Sequence, residues 1–235
     1  MKSWTNLSYA NVATTSPAAH KASMEWSDAV ARGGAAEFDG EAEKNAMMPL
    51  RRAAARLLSC EVADVCVGSS ATELLCSLAW AVSPSGGSNI VSTRTAFPST
   101  VYPWSRVAEA NGAKIRLANH DEELYTNPDD ILDLIDEATS VVTLSHVEYS
   151  TGQRYDLRRF ADAAHSVGAL LVVDASQSMG MVPIDAVSSG ADAIVSSGYK
   201  WLRGTYGAAV AYISPEIRGD LNPGLLGFRS HVDIW

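Results

Sequence analysis

Short, almost continuously apolar segments alternate along this chain with longer segments of helical pattern, and this alternation limits the folds that the chain can adopt. Seven segments have the composition of strands: 62–68, 89–93, 113–118, 140–146, 169–175, 192–197 and 208–214. Several are apolar at successive positions, which is typical of strands covered on both faces. Five segments of helical pattern lie between them: 41–59, 71–83, 99–112, 128–138 and 156–168. The alternation predicts an α/β three-layer sandwich with a mostly parallel sheet.

Composition and charge exclude several classes of protein. The chain has 235 residues, of which 47% are hydrophobic, a composition that suits a globular protein with one sizeable core. A net charge of -9 argues against a nucleic-acid partner, because neutralising phosphates requires a basic face. No apolar run approaches the length of a membrane span, and the first residues lack the layout of a signal peptide. We therefore expect no nucleic-acid or membrane partner.

The three cysteines indicate a reducing compartment. Cys60, Cys66 and Cys76 are odd in number and form no C-x-x-C pair, and their neighbours are mostly apolar. This usage predicts reduced, buried thiols in a cytoplasmic protein, and we assign no metal site to the chain.

Lys200 is the residue that most needs an explanation. It follows the apolar strand segment 192–197 within SSGYKWLRGTYG, a loop that contains several glycines. Most lysines are solvated surface residues. The alternative is a lysine that forms a covalent imine with a carbonyl cofactor. In parallel sheets the ligand site lies at the carboxyl ends of the strands, which is where Lys200 stands.

The segment VGSSATELL (67–75) has the pattern of a phosphate-binding turn. A strand ends at Gly68, hydroxyl residues follow, and a helix begins near Ala71. The first N–H groups of a helix bind phosphate, and Ser70 and Thr72 add hydroxyl donors. The alternative is an ordinary helix cap, with Ser70 as the capping residue.

Asp174 directly follows four apolar residues in LLVVDASQS. A carboxylate at a buried strand end requires a partner, and a protonated pyridine nitrogen is a suitable one. A metal ion or the capping of the next turn would explain it as well. Gln177 is placed to bind a substituent of such a ring, with a surface position as the alternative.

Four further candidates follow strand segments in the same way. Phe97 could stack on a flat ring, His146 could bond a phenolic oxygen, and the hydroxyls of Ser197 and Tyr199 could reach a phosphate. For Phe97 the alternative is a core position, and for His146 a structural role. Together the candidates occupy the ends of separate strands of one predicted sheet.

These residues resemble a known family. The stretch VVDASQSMGMVPIDAVSSGADAIVSSGYKWLRGTYG is similar to the signature region of class V aminotransferase-like enzymes, which are pyridoxal-phosphate enzymes of fold type I. The family includes cysteine desulfurases and kynureninases. The resemblance implies a large domain with a seven-stranded, mostly parallel sheet, and a homodimer with sites at the subunit interface.

The resemblance also implies roles for individual residues. Lys200 matches the lysine that forms the Schiff base, and Asp174 the partner of the pyridine nitrogen. Ala71 and Thr72 match the phosphate-binding turn, and Ser197 a phosphate ligand. Gln177 matches a residue near the phenolic oxygen, and Phe97 the aromatic that stacks on the ring.

Departures from the family pattern leave the reaction open. Tyr199 and Phe97 occupy positions where desulfurases have histidines, and HVEYSTGQRYDL (146–157) looks like kynureninase. Thr100, however, stands where kynureninases usually have aspartate. The expected enzyme acts on an amino-acid substrate as a transaminase, lyase or hydrolase. The alternatives are a catalytically silent or truncated relative that acts through a partner chain, and a nucleotide-binding module, which lacks its G-x-G-x-x-G motif here.

Three segments describe the expected organisation of the chain. Residues 1–40 form an N-terminal segment that packs on the large domain. Residues 41–220 form the large domain that binds pyridoxal phosphate, and residues 221–235 begin a connection to a C-terminal domain outside this chain.

Overall fold

A computed structural model describes residues 5–37, 40–227 and 230 and contains a seven-stranded sheet. The strands are β1 (Val65–Gly68), β2 (Asn89–Thr93), β3 (Lys114–Ala118), β4 (Thr139–Ser145), β5 (Leu170–Asp174), β6 (Ala193–Ser197) and β7 (Ala209–Ile213). Their order across the sheet is β1-β7-β6-β5-β4-β2-β3. Strand β7 pairs antiparallel with both β1 and β6, and every other pair is parallel. The predicted fold class is therefore confirmed.

Three of the described helices have no predicted counterpart, namely Pro17–Gly33, Ala186–Ser189 and Pro215–Arg218, and the others differ from prediction mainly in their bounds. They are α1 (Pro17–Gly33), α2 (Gly40–Asn45), α3 (Met48–Leu58), α4 (Ala71–Val82), α5 (Pro98–Asn111), α6 (Pro128–Leu132), α7 (Leu157–Ser166), α8 (Ala186–Ser189) and α9 (Pro215–Arg218). The predicted helix 41–59 is two helices, because Pro49 has no N–H to continue a helix and starts a new one instead. The predicted helix 128–138 ends at Leu132, and the predicted strand 62–68 begins with a short 3-10 turn at Val62–Asp64.

Two apolar clusters cover the two faces of the sheet. Alternate strand residues such as Leu171 and Val173 pack with α3, α6 and α7 on one face. Val172, between them, packs with α4 and α5 on the other face, where Trp104 is fully buried. Because both faces are covered, strands such as β5 are apolar at successive positions, as the sequence indicated.

The N-terminal residues contact the loop that follows β6. The N–H of Ala13 donates to the carbonyl of Tyr199 at 3.1 Å, and the N–H of Ser16 donates to the carbonyl of Arg203 at 2.8 Å. The rings of Tyr9 and Trp201 lie 5.7 Å apart. Helix α1 follows this segment and has no buried residue. The division into three segments stays a prediction, and part of 221–235 lies outside the described residues.

The prediction of buried thiols is wrong. Cys66 is exposed, and Cys60 and Cys76 are half-buried. Cys66 belongs to β1, an edge strand, and its neighbour Val65 is the residue that turns into the core. Among the described residues, no helix is long and apolar enough to cross a membrane.

Candidate cofactor site

One cleft brings together nine of the ten predicted site residues. It lies at the carboxyl ends of β4, β5 and β6 and is closed by the first residues of α4 and α5. The nine are Ser70, Ala71, Thr72, Phe97, Asp174, Gln177, Ser197, Tyr199 and Lys200. This is the edge of the sheet at which ligands of open α/β folds bind.

His146 is the exception: it does not line the cleft, and its predicted bond to a phenolic oxygen stays a prediction. Its side chain lines a neighbouring groove together with Arg154 and Asp185. The alternation of β4 explains the difference, because Ser145 faces the cleft and the next residue turns to the opposite face. The His146 ring is buried, and its Nδ1 has no hydrogen-bond partner among the described residues. Burial, together with the charge of Arg154, lowers the pKa of His146 to about 4.

Lys200 is held in the cleft by a tight loop. The N–H of Gly198 donates to the carbonyl of Ala208, and the N–H of Gly204 donates to the carbonyl of Gly198 at 2.7 Å. A Cβ atom at Gly198 would lie 2.7 Å from the carbonyl oxygen of Ala208, so only glycine fits there. Lys200 itself is only 7% exposed.

The charge and position of the Lys200 amine follow from its surroundings. Burial lowers the pKa of Lys200, and the Asp174 carboxylate opposes that shift. The Nζ atom lies over the Phe97 ring, 5.1 Å from its centre. The cleft encloses about 50 Å³. A ring that stacked on Phe97 from the cleft would therefore displace the amine from its present position.

Asp174 is buried in the wall of the cleft with both carboxylate oxygens bonded. Oδ1 accepts a hydrogen bond from the N–H of Ser176 at 2.9 Å, and Oδ2 accepts one from the hydroxyl of Thr100 at 3.0 Å. Donors of this kind favour the charged form of a buried carboxyl. In the sheet, Asp174 pairs with Ser145 of β4 and Val195 of β6. It therefore lies at the centre of the three strand ends.

The starts of α4 and α5 meet at the cleft. The hydroxyls of Thr72 and Ser99, one from each helix, are 2.8 Å apart. Ser70 caps α4 by accepting a hydrogen bond from the N–H of Glu73, as the capping alternative proposed. The first N–H groups of α4 have no carbonyl partner inside the helix, and the Ser70 cap satisfies that of Glu73. The Ser197 hydroxyl is buried nearby without a hydrogen-bond partner among the described residues.

Gln177 lines the cleft, but both ends of its amide are bonded within the chain. Its Nε2 donates to the carbonyl of Ala10 at 2.8 Å, and its Oε1 accepts from the indole N–H of Trp201 at 2.9 Å. The side chain therefore links the N-terminal residues to the Lys200 loop. Its predicted contact with a ring substituent stays a prediction.

Sequence reasoning missed several residues that line the cleft. They are Ser99, Ser145, Val147, Tyr149 and Ser176. Tyr149 packs edge-on against Phe97 at 5.3 Å between ring centres. Ser145 and Ser176 lie at or near the ends of strands that the sequence predicted, so their position at this edge of the sheet could have been predicted. No pattern, however, showed which face of the sheet each side chain would occupy.

Comparison with known proteins decides the family. The sequence model of the aminotransferase class-V family matches residues 11–233. This chain belongs to that family.

Individual relatives match over part of their length. A probable cysteine desulfurase of Methanothermobacter thermautotrophicus is 34% identical over 148 residues, which are 63% of this chain and 37% of the relative. A kynureninase of Pseudomonas fluorescens is 33% identical over 145 residues, which are 60% of this chain and 33% of the relative. The chain thus spans a little over a third of the length of these curated relatives at most.

A solved structure shows the same fold. It is a C-DES variant with glycine covalently linked to its pyridoxal-phosphate cofactor, and it matches with a TM-score of 0.85 and 21% identity. The match covers 94% of this chain and 60% of that one. Family and neighbours together indicate pyridoxal phosphate as the cofactor.

The residues of the cleft fit that cofactor. The unpartnered Ser197 hydroxyl and the helix starts offer donors for a phosphate. The Asp174 carboxylate offers a partner for a pyridinium nitrogen, and Phe97 an aromatic face. Lys200 offers an amine in the same cleft. These four features are the donor set that a phosphorylated pyridine aldehyde requires.

Proposed function

We propose that this chain forms the cofactor-binding part of a pyridoxal-phosphate-dependent enzyme that acts on an amino-acid substrate. The observation that carries the proposal is the Lys200 amine, which is buried, lies over the Phe97 ring and shares a cleft with the Asp174 carboxylate. A cationic pyridine ring, when bound, supplies an electron sink for charge that develops at the α-carbon of the substrate.

Lys200 would hold the cofactor covalently through Nζ. An amine must be neutral to attack a carbonyl, and burial lowers the pKa of Lys200 in that direction. After a substrate amine has taken its place, the freed Lys200 amine is positioned to accept or donate a proton at the α-carbon.

Asp174 would pair with the pyridine nitrogen and keep its proton in place. Its two donors, Thr100 and Ser176, stabilise the negative charge that this pairing requires. The starts of α4 and α5, with Thr72 and Ser197, would hold the phosphate by hydroxyl and N–H donors. Phe97 would support one face of the ring.

The organisation of the complete enzyme follows the same proposal. Residues 41–220 would form the large domain, with the N-terminal segment packed on its Lys200 loop. Exposed aromatic side chains near the cleft, among them Tyr102, Tyr149 and Tyr206, suit a second subunit of a cytoplasmic homodimer. The reaction would be a transamination, a lyase cleavage or a hydrolysis of the kynureninase type.

The test is an absorption spectrum of the purified chain with added pyridoxal phosphate, before and after borohydride reduction. We expect a visible band that reduction removes, with the reduced cofactor mapped by peptide mass spectrometry to Lys200. Lys200→Ala should lose both the band and the label. Lys114→Ala removes an exposed lysine and serves as the matched control, which should behave as wild type.

Two outcomes would contradict the proposal. One is a label spread over surface lysines and unchanged by Lys200→Ala. The other is no band with either protein, which would favour a catalytically silent relative.

A further inference from the structure

Thr100 makes more connections in the cleft than its place in the sequence suggests. It is the third residue of α5 and is fully buried. Its hydroxyl donates to Asp174 Oδ2 at 3.0 Å, and its N–H donates to the carbonyl of Phe97 at 2.8 Å. Its own carbonyl accepts a hydrogen bond from the hydroxyl of Thr143 in β4 at 3.2 Å. Thr100 therefore joins the aromatic wall of the cleft to its carboxylate.

The direction of the Thr100 hydroxyl is specific. A threonine in a helix commonly bonds to a carbonyl of the preceding turn of its own helix. Here the hydroxyl crosses from α5 to the end of β5 and meets a side chain 74 positions away in the sequence. Branching at Cβ leaves threonine few χ1 rotamers in a helix, and the full burial of Thr100 keeps its hydroxyl in the one that reaches Asp174. A fixed donor holds the carboxylate in one orientation.

Each carboxylate oxygen of Asp174 accepts one hydrogen bond, Oδ2 from the Thr100 hydroxyl and Oδ1 from the Ser176 N–H. The other titratable groups that act on Asp174 are Lys200, Tyr199 and Glu148. Of these, Lys200 is the cation, and its amine would be used to hold the cofactor covalently. The two neutral donors would remain, so the Thr100 hydroxyl becomes a larger part of what stabilises the charge.

We propose that Thr100 is a positioning residue that orients the Asp174 carboxylate toward the cofactor's ring nitrogen and, by donating to Oδ2, keeps the proton on that nitrogen rather than on Asp174. The proposal rests on the function proposed above for Lys200 and Asp174. A carboxylate that accepts hydrogen bonds is a weaker base, so the proton that it shares stays with its partner. The ring then remains cationic.

The test compares Thr100→Val, which keeps the shape and removes the donor, with Thr100→Ser, which keeps the donor. The readouts are the pH midpoint of the visible absorption change of the lysine-bound cofactor and the cofactor's dissociation constant. A less cationic ring withdraws fewer electrons from the imine, so the valine variant should raise the midpoint by about half a unit to one unit. A carboxylate that is no longer held toward the ring nitrogen makes a poorer hydrogen bond to the cofactor, so binding should weaken by up to about 10-fold. Thr100→Ser should restore both values to within about twofold of wild type, as expected when the donor is kept.

Thr143→Val is the matched control. It removes the hydrogen bond to the carbonyl of Thr100 and leaves the Thr100 hydroxyl in place. It should lower thermal stability without moving the midpoint. If Thr100→Val behaves in the same way, lower in stability with the wild-type midpoint, Thr100 is structural and the proposal is overturned.

A second variant covers the case in which Thr100→Val does not fold. Thr100→Cys has a similar volume and a weaker donor, so it should shift the midpoint in the same direction by a smaller amount. If the pH midpoint of Thr100→Cys equals that of wild type, the proposal is also overturned. A wild-type protein without a visible band counts against the proposed function itself, whereas a wild-type band with unshifted variants counts against Thr100 alone.

Discussion

Two buried carboxyl groups follow neighbouring strands of the sheet, and they are in opposite situations. Asp174 ends β5 on the face of α4 and α5, and both of its oxygens accept hydrogen bonds. Glu148 follows β4 and is 1% exposed. Its Oε1 accepts from the Thr93 hydroxyl at 3.2 Å, but its Oε2 has no partner among the described residues.

The donors available to each group account for the difference. Burial raises the pKa of Glu148 to about 7, against smaller opposing effects of the Thr93, Thr95 and Tyr155 hydroxyls and with a further rise from the Asp174 charge. Glu148 is therefore largely protonated below neutral pH and carries little charge behind the cleft. Burial alone does not decide whether a carboxyl serves as an anion, because the number of donors aimed at it also matters.

The largest expected effect is on the binding of pyridoxal phosphate, which should depend on Asp174 and not on Glu148. Asp174→Asn should weaken binding of pyridoxal phosphate by about 10- to 100-fold, because a charged hydrogen bond to the ring nitrogen is lost. Glu148→Gln removes an acid that does not line the cleft and should change the dissociation constant by less than about threefold, well under the energy of one hydrogen bond. Fluorescence titration of the cofactor measures both. Equal losses in the two variants would show that the comparison is wrong.

The next effect concerns stability rather than binding. Because folding raises the pKa of Glu148 from its usual 4.5 to about 7, the folded state holds a proton that the unfolded chain releases between those values. The contribution of Glu148 to stability is fully present below pH 4.5 and is lost as the pH rises to about 7. Glu148→Gln cannot titrate, so its stability relative to wild type should increase over that window by about 1.4 kcal/mol for each unit of pKa shift.

Urea unfolding at several pH values between 4 and 8 checks this expectation. His146 has its own transition in the acidic part of this range, since burial lowers its pKa to about 4. It is present in both proteins and cancels in the difference between them. A constant difference between wild type and Glu148→Gln across the range would mean that Glu148 is charged in the folded protein.

The smallest effect tests the hydrogen bond from the Thr93 hydroxyl to Glu148. Thr93→Val removes the hydroxyl that donates to Oε1 and so raises the pKa of Glu148 further. The pH at which the contribution of Glu148 to stability is fully lost should rise by less than about one unit, as expected for one neutral hydrogen bond. The same unfolding series measures the shift. The dissociation constant of the cofactor should stay at the wild-type value. Thr93→Ser keeps the donor, so it should leave the pH dependence of stability as in wild type.

Much of the fold was readable from the sequence because both faces of the sheet are covered. All seven strands were predicted, since short apolar runs with β-branched residues, such as LLVVD, are typical of strands covered on both faces. Helix α1 was missed although Ser16 and Pro17 form a helix start, because the helix buries no residue and has no core-facing stripe to reveal it.

The same coverage explains why the sequence could not tell Ser145 from His146. A strand that is apolar on both faces has no alternation, so the sequence places a residue at the strand end without saying which face it occupies. Ser145 and His146 were equally good candidates on that basis, and only Ser145 faces the cleft. The sequence singled out Thr100 only as a departure from the kynureninase pattern and did not single out Glu148, because their hydrogen-bond partners are 74 and 55 positions away.

The contacts between the N-terminal residues and the Lys200 loop have a consequence for the order in which the chain is completed during synthesis. Arg203 Nε donates to the carbonyl of Thr14 across 189 positions, and strand β1 pairs only with β7. The residues before α1 must therefore wait for nearly the whole described chain before they find their partners. Contacts of such long range close slowly, because the loop-closure entropy is lost before the contacts form. The lysine loop is thus among the last of the described segments to become fixed.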